Sequence, residues 1–444
     1  MNVSKEEIVL FNNKLIAFLN NAPTPFHAVK EMSQVLCEQG FTALNEADVW
    51  NIGQGGKYFV TRNDSSLIAF SLGKGDFDIS DGMRCIGAHT DSPSLKLKSV
   101  ALIREGGTLK LGVEVYGGII PESWFDRELS LAGRVVCEDM DGSIVSILVD
   151  FKRPIGIIPS LAIHLRQKDK PPTINPQKEL VPIVGLAGAD ENLSDINEVL
   201  LAHIKAEHVK ANIKQVLEHE LFLYDVRPAG MFGFNNEFIA GARIDNLTSC
   251  FAGLKAIEYA DGDKPFIAFF ASNEETGSLS YSGAGGTFFN DVLIRLFPEA
   301  EDNIRLRASS MLVSMDNAHA AHPNYPETVE PMHAVKLNAG PAIKVNANER
   351  YATTSITGAA FRLLAQQSGM PVQTFVMPSN MSSGTTIGPI IAAGAGIPAV
   401  DVGIPSLGMH STRETIGAED GFALFRIICA FLKNDICIKT RGVI

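Results

Sequence analysis

The sequence predicts an α/β protein with a central, mostly parallel sheet sandwiched by helices and interrupted by an inserted β-rich unit. Three observations carry that prediction. An uninterrupted apolar run at 265–271 reads as a strand buried on both faces, 84–88 and 310–315 read as further short strands of mainly apolar character, and helical patterns lie among them. From about residue 95 to 227 the pattern changes to alternating runs punctuated by Gly-Gly and Asp-Gly turns. Residues suited to chemistry follow directly after the apolar runs on both sides of that stretch, so the flanking parts belong to one unit. The expected division is 1–94 and 228–444 for one domain in two parts, with 95–227 inserted.

In chain order, residues 5–20 carry apolar positions at helical spacing. A second helix starts at Thr24-Pro25, with Thr24 as cap and Pro25 in the first turn, and ends near Gly40. Strands are expected at 58–61 and 66–72, and the strand 84–88 delivers His89-Thr90-Asp91. Within the insertion, alternating runs at 108–116, 129–138, 143–150 and 155–165 are read as strands, and 195–219 as a long closing helix. Pro228 and Gly230 mark the return. A strand at 238–242 then leads through Asp245 into a helix at 247–259. The run 265–271 stops at Asn273-Glu274-Glu275-Thr276-Gly277, and 310–315 stops at Asp316-Asn317-Ala318-His319. A helix at 354–367 ends at Gly369, strands follow at 371–377 and 398–403, and the last strand runs on towards His410. The closing helix is 418–432.

The 444 residues exceed one ordinary core, which is why two domains are expected. A formal charge of −12 without any Lys/Arg-rich run argues against nucleic acid and anionic membrane as partners. Neither a secretory signal nor an apolar stretch of membrane-spanning length is present, and the six cysteines lack C-x-x-C spacing. Cytoplasmic residence is the expectation.

His89, Asp91, Asp245, Glu274, Glu275, Asp316 and His410 all stand at or beyond ends of apolar runs. Open α/β sheets bind ligands outside the carboxyl ends of their strands. Adjacent carboxylates there need a cation or a shared proton to offset their repulsion. Two imidazoles and several carboxylates suit a pair of divalent ions about 3.5–4 Å apart, zinc first, with cobalt or manganese as alternatives. A carboxylate left free of the ions would act as general base on a water, and hydrolysis of an unreactive carbonyl bond follows. Neither G-x-S-x-G nor H-E-x-x-H occurs, which disfavours a serine nucleophile elbow and a single-zinc protease helix. Gly283-Ala284-Gly285-Gly286 is too short and misplaced for a phosphate loop and reads as a turn.

The chain resembles the aspartyl aminopeptidase family, the eighteenth family of metallopeptidases, which includes the yeast vacuolar enzyme. The resemblance rests on Pro23-Thr24-Pro25-Phe26-His27-Ala28-Val29, Ala88-His89-Thr90-Asp91-Ser92-Pro93, Pro159-Ser160-Leu161-Ala162-Ile163-His164-Leu165 and Ala242-Arg243-Ile244-Asp245-Asn246-Leu247. It continues through Asn273-Glu274-Glu275-Thr276-Gly277-Ser278, Met315-Asp316-Asn317-Ala318-His319-Ala320, 344–353 and Gly408-Met409-His410-Ser411-Thr412-Arg413-Glu414.

It implies a zinc-aminopeptidase-like catalytic domain, an inserted dimerisation domain and a homo-oligomer of dimers assembled into a tetrahedral dodecamer. It implies two metal ions held by His89, Asp245, Glu275, Asp316 and His410, with Asp245 bridging. Glu274 becomes the general base, and Asp91 the partner of His89. His164 would reach a neighbouring subunit's site. The substrate is a peptide losing its first residue, Asp or Glu by preference, with Lys344 and Tyr351 as contacts for that side chain. A preference for neutral residues, a related dinuclear-metal carboxypeptidase or deacylase, and a chambered scaffold with a dead site are the competing readings.

Overall fold

The strand Phe266–Ala271, buried at all six positions, lies inside a nine-stranded sheet of the computed structural model, which describes residues 4–75, 77–166, 173–188, 195–208, 212–260 and 263–434. Across that sheet the strands are Thr42–Leu44, Lys57–Arg62, Ser66–Ser71, Phe266–Ala271, Arg84–His89, Met311–Met315, Ala399–Gly403, Ala342–Val345 and Gln373–Val376. The four from Phe266–Ala271 to Ala399–Gly403 run parallel, while Ser66–Ser71 and Ala342–Val345 join them antiparallel. Parallel pairing puts the carboxyl ends of the strands before His89, Glu274 and Asp316 on one edge.

The two-residue period of a strand explains the layers. Phe266, Ala268 and Phe270 pack into one core with residues of the helices Lys5–Asn21, Ile244–Glu258, Ser355–Ser368 and Asp420–Lys433. Ile267, Phe269 and Ala271 face the other core, shared with the helices Phe288–Leu296 and Ile387–Ala395. An uninterrupted apolar run is what a strand covered on both faces needs.

The insertion forms a separate six-stranded sheet, antiparallel throughout, in the order Ile144–Asp150, Leu129–Asp139, Ile213–Asp225, Ser94–Glu105, Thr108–Tyr116 and Ile183–Leu186. It has its own core, in which Leu200 and Ile204 of the helix Ile196–Glu207 pack with Leu131, Leu221 and Leu223. A small third sheet joins Gly230–Phe232, Phe238–Gly241, Glu414–Gly417, Pro405–Leu407 and Ala318–His319.

Two expected elements are corrected. The helix read at 195–219 is the shorter helix Ile196–Glu207 followed by the long strand Ile213–Asp225; residues 209–211 lie outside the described residues. Bulges between Ile213 and Gln215 and between Val216 and Glu218 put buried residues at 213, 216 and 219, a spacing of three that imitates a helix. The strand read at 155–165 reduces to bridges at Gly156, Ile157 and Ile158, and Ile163–Leu165 is a short 3₁₀ turn. Pro159 has no N–H to continue a ladder. Cys437 lies outside the described residues, and the five described cysteines are unpaired. Among the described residues no helix is long and apolar enough to cross a membrane.

Candidate active site

Five segments converge where the parallel strands end. His89 is the last residue of its strand and is 1% exposed. Its Nε2 lies 3.4 Å from Asp245 Oδ1 and 3.5 Å from Asp316 Oδ1. His410 faces the other oxygen of the same aspartate, with Nε2 3.7 Å from Asp245 Oδ2 and 3.4 Å from Glu275 Oε1. Asp245 therefore lies between the two imidazoles, one carboxylate oxygen towards each. Ligand-type atoms cluster in three overlapping sets: His89, Asp245 and Asp316; His89, Glu274 and Glu275; Asp245, Glu275 and His410.

Local backbone places these groups. Arg243 sits in the left-handed region (φ 60°) and its half-buried guanidinium donates to the carbonyls of Leu19 and Ala22. Asp245 and Asn246 then carry non-helical dihedrals at the head of the helix. Asn246 donates to the carbonyl of Met315, tying this segment to the strand that delivers Asp316. Beyond Phe266–Ala271, Asn273 is also left-handed and opens the short turn Glu274–Thr276. The carboxylate of Asp91, fully buried, accepts the N–H of Glu274 at 3.1 Å and of Glu275 at 3.2 Å, so it fixes the turn as well as approaching His89 Nδ1.

Both imidazoles are held in one orientation by backbone. His89 Nδ1 lies 3.1 Å from the carbonyl of Asp91, and His410 Nδ1 lies 2.7 Å from the carbonyl of Gly118. A carbonyl only accepts, so each Nδ1 carries a proton and each Nε2 is the nitrogen turned to the carboxylates, the orientation in which a metal-ligating histidine offers Nε2 once that nitrogen is deprotonated. Asp245 Oδ1 is buried with no hydrogen-bond partner.

The electrostatics is that of acids crowded without enough counter-charge. Burial first, then neighbouring acids, push Glu274 up to about 8 against the opposing pull of His89. Burial also pushes Glu275 up to about 7. His410 rises to about 10 because Glu275 and Asp245 outweigh its burial. Lys344 and His89 outweigh burial at Asp316 and hold its carboxyl well below the usual range. One divalent ion would leave part of the negative charge of Asp245, Glu274, Glu275 and Asp316 uncompensated; a pair would cover it. The residues fit a two-ion centre.

Of the other expected contacts, Lys344 and Tyr351 border the cluster beside Asp316, and His164 lies apart from it. Lys344 is buried, its ammonium 3.3 Å from Asp316 Oδ2 and 5.3 Å from the centre of the Tyr351 ring, whose hydroxyl accepts from Ser383. Its charge is thus already balanced by Asp316. His164 is exposed on the turn Ile163–Leu165 and, among the described residues, is not joined to this cluster.

Sequence reasoning missed Glu414, a buried carboxylate accepting the N–H of Asp245 (2.9 Å) and of His410 (2.8 Å). Its spacing four residues after His410 was the available signal. It also missed Tyr116, whose hydroxyl donates to Asp91 at 2.8 Å and for which the sequence gives no signal.

The family model for aminopeptidase I zinc metalloproteases (M18) matches residues 18–432. The chain belongs to the M18 aminopeptidase family. A probable M18 family aminopeptidase 2 from Pseudomonas savastanoi pv. phaseolicola is 47% identical over 421 residues, covering 95% of this chain and 97% of that one. Among solved structures, Ape4 in a cryo-EM complex with Nbr1 superposes with TM-score 0.92 at 36% identity, covering 97% of this chain and 87% of that one. The S. cerevisiae mApe1 dodecamer superposes with TM-score 0.82 at 28% identity, covering 95% and 96%. The protein is therefore a metallo-aminopeptidase, and the α/β zinc-aminopeptidase-like fold read from the sequence is the observed one. Membership decides against the carboxypeptidase or deacylase reading.

Proposed function

We propose that this M18 aminopeptidase removes acidic residues, Asp or Glu, from the free N-termini of peptides with a pair of divalent ions, zinc by first preference. The observation that carries the two-ion reading is the shared aspartate: His89, which also approaches Asp316, faces one oxygen of Asp245, and His410, which also approaches Glu275, faces the other. His89, Asp245 and Asp316 would hold one ion, and Asp245, Glu275 and His410 the second. When bound, such a pair polarises the scissile carbonyl and lowers the pKa of a water from about 15.7 to about 7.

Glu274 is the base in this reading. It adjoins both ligand sets, its backbone is pinned by Asp91, and burial lifts its pKa towards neutrality, so it takes the water's proton and passes it to the departing amine. Asp91 sets the position of Glu274 and Glu275 and backs His89. Residues 1–94 with 228–444 form the catalytic domain, and 95–227 the dimerisation domain.

The mApe1 dodecamer supports a comparable homo-oligomer here, built from dimers in tetrahedral arrangement. Exposed Leu161, Ile163 and Leu165 flank His164 and supply an apolar surface for a neighbouring subunit, so His164 would donate to the oxyanion of that subunit's site. Unpaired cysteines agree with cytoplasmic residence.

The acidic preference rests on Lys344, whose ammonium has three protons and spends one side on Asp316, with Tyr351 beside it. Its neutralisation by Asp316 favours the second reading, a preference for neutral residues. A panel of Asp-, Glu-, Leu- and Ala-anilides, free and N-acetylated, tests both. Free Asp and Glu substrates cleaved fastest support the proposal; a Leu preference selects the second reading, and cleavage of acetylated substrates removes the aminopeptidase chemistry.

A further inference from the structure

The two proposed metal positions are built differently. The His89 position is assembled by the ends of the parallel strands and by the Asp245 segment. The His410 position is also touched by the insertion, through Tyr116 at the end of its strand Thr108–Tyr116 and the four residues that follow. Tyr116 donates its hydroxyl to Asp91 Oδ2 at 2.8 Å and accepts from Asn273 Nδ2 at 2.9 Å, so it grips the acid turn from both sides. Gly117 lies in the left-handed region (φ +70°), and a side-chain carbon there would come 3.1 Å from Glu275 Cβ, so the backbone rests directly on that residue. Gly118 supplies the carbonyl at 2.7 Å that fixes His410 Nδ1, and the N–H of Ile120 donates to the His410 carbonyl at 3.0 Å.

We infer that the segment Tyr116–Ile120 of the insertion is the clamp that positions Glu275 and His410, making the second metal position dependent on the inserted domain. The inference rests on the two-ion reading and goes beyond it. Tyr116 acts through Asp91 and Asn273 and is a positioning residue. Its loss leaves Asn273 Nδ2 without that acceptor and removes one of the donors that hold Asp91 in place. Gly117 and Gly118 let bare backbone come close enough to touch a ligand and to orient another. The insertion thereby does more than offer a subunit interface: it completes the site on its own chain.

The test is zinc titration of the metal-stripped full-length protein against a competing chelator, for wild type, Tyr116→Phe, Gly117→Ala and Tyr224→Phe. Tyr224 is the control, because it is another tyrosine of the insertion donating to a carboxylate, Asp150, away from the acid turn. Loss of contacts that orient metal ligands typically costs 10–100-fold in metal affinity. The expected result is two binding steps in wild type and in Tyr224→Phe. One of the two should weaken by about 10–100-fold in Tyr116→Phe, and more in Gly117→Ala. Wild-type affinity at both steps in Tyr116→Phe overturns the inference, as does an equal loss in Tyr224→Phe. A wild type binding fewer than two ions overturns the two-ion reading instead.

Discussion

Replacing Asp91 by asparagine keeps the shape of the side chain and removes one acceptor and one charge. The carboxylate now serves three donors, the N–H of Glu274 on Oδ1 and the N–H of Glu275 with the Tyr116 hydroxyl on Oδ2. An amide has a single oxygen, so whichever way it sits, one backbone N–H of the acid turn meets an NH₂ group. The Tyr116 hydroxyl can reverse and accept; a backbone N–H cannot. Leaving one buried donor unmade costs about 1–3 kcal/mol. If the turn is needed in its present position only as the reaction proceeds, that penalty appears in kcat as a loss of about 5- to 160-fold. The assay is steady-state cleavage of an aspartyl or glutamyl anilide at saturating zinc, with zinc affinity measured on the same preparation. The expected outcome is kcat down by one to two powers of ten, KM changed little and zinc bound more weakly. Asp91→Asn with kcat and zinc affinity within twofold of wild type would refute the assignment of Asp91 as the anchor of the turn.

Glu274→Gln should lower kcat by about 10²–10⁴-fold while both ions remain bound, since only the proton carrier is removed; near wild-type turnover with full metal content sinks the base assignment. Metal-stripped protein should lose thermal stability as pH rises from 6.5 to 8.5. Glu275, Glu274 and Glu414, lifted to about 7, 8 and 8, hold protons in the fold that the unfolded chain has released, and His410, lifted to about 10, does likewise, so stability present at lower pH drains away through this window. Zinc supplies the missing positive charge, so its stabilisation in a melting experiment should be larger at pH 8.5 than at 6.5; a metal-free Tm that climbs over this range contradicts the charge assignment. His164→Ala should lose activity yet recover part of it when co-assembled with inactive Glu274→Gln chains, which carry His164 into its intact sites; no recovery in mixed oligomers argues against supply from a neighbour.

The catalytic framework was readable because parallel strands buried on both faces leave a plain mark. Phe266–Ala271 is an unbroken apolar run and Met311–Met315 is apolar but for the buried Ser314, and Glu274, Glu275 and Asp316 lie just after them. The insertion was readable in outline only. Two bulges gave Ile213–Asp225 a helical spacing, and Pro159 ended an alternation whose apolar residues Leu161, Ile163 and Leu165 face outward on this chain. In the site, residues aimed at the cluster by the strand ends were legible one by one. Asp91's hold on the acid turn was not, because it depends on backbone N–H groups that no side-chain pattern reports. Tyr116 and the carbonyl of Gly118 were invisible for a related reason: they arrive from a different sheet, and only the fold brings them to Asp91 and His410.

The most direct measurement is a count of bound zinc per chain in wild type, His89→Ala, His410→Ala and Asp245→Asn after equilibration at fixed free zinc. Two ions in wild type, one in each histidine variant and neither held firmly in Asp245→Asn is the predicted outcome, because Asp245 offers one oxygen to each side. A fully active wild type with a single ion, or an Asp245→Asn protein that keeps both, would contradict a centre built around a shared aspartate.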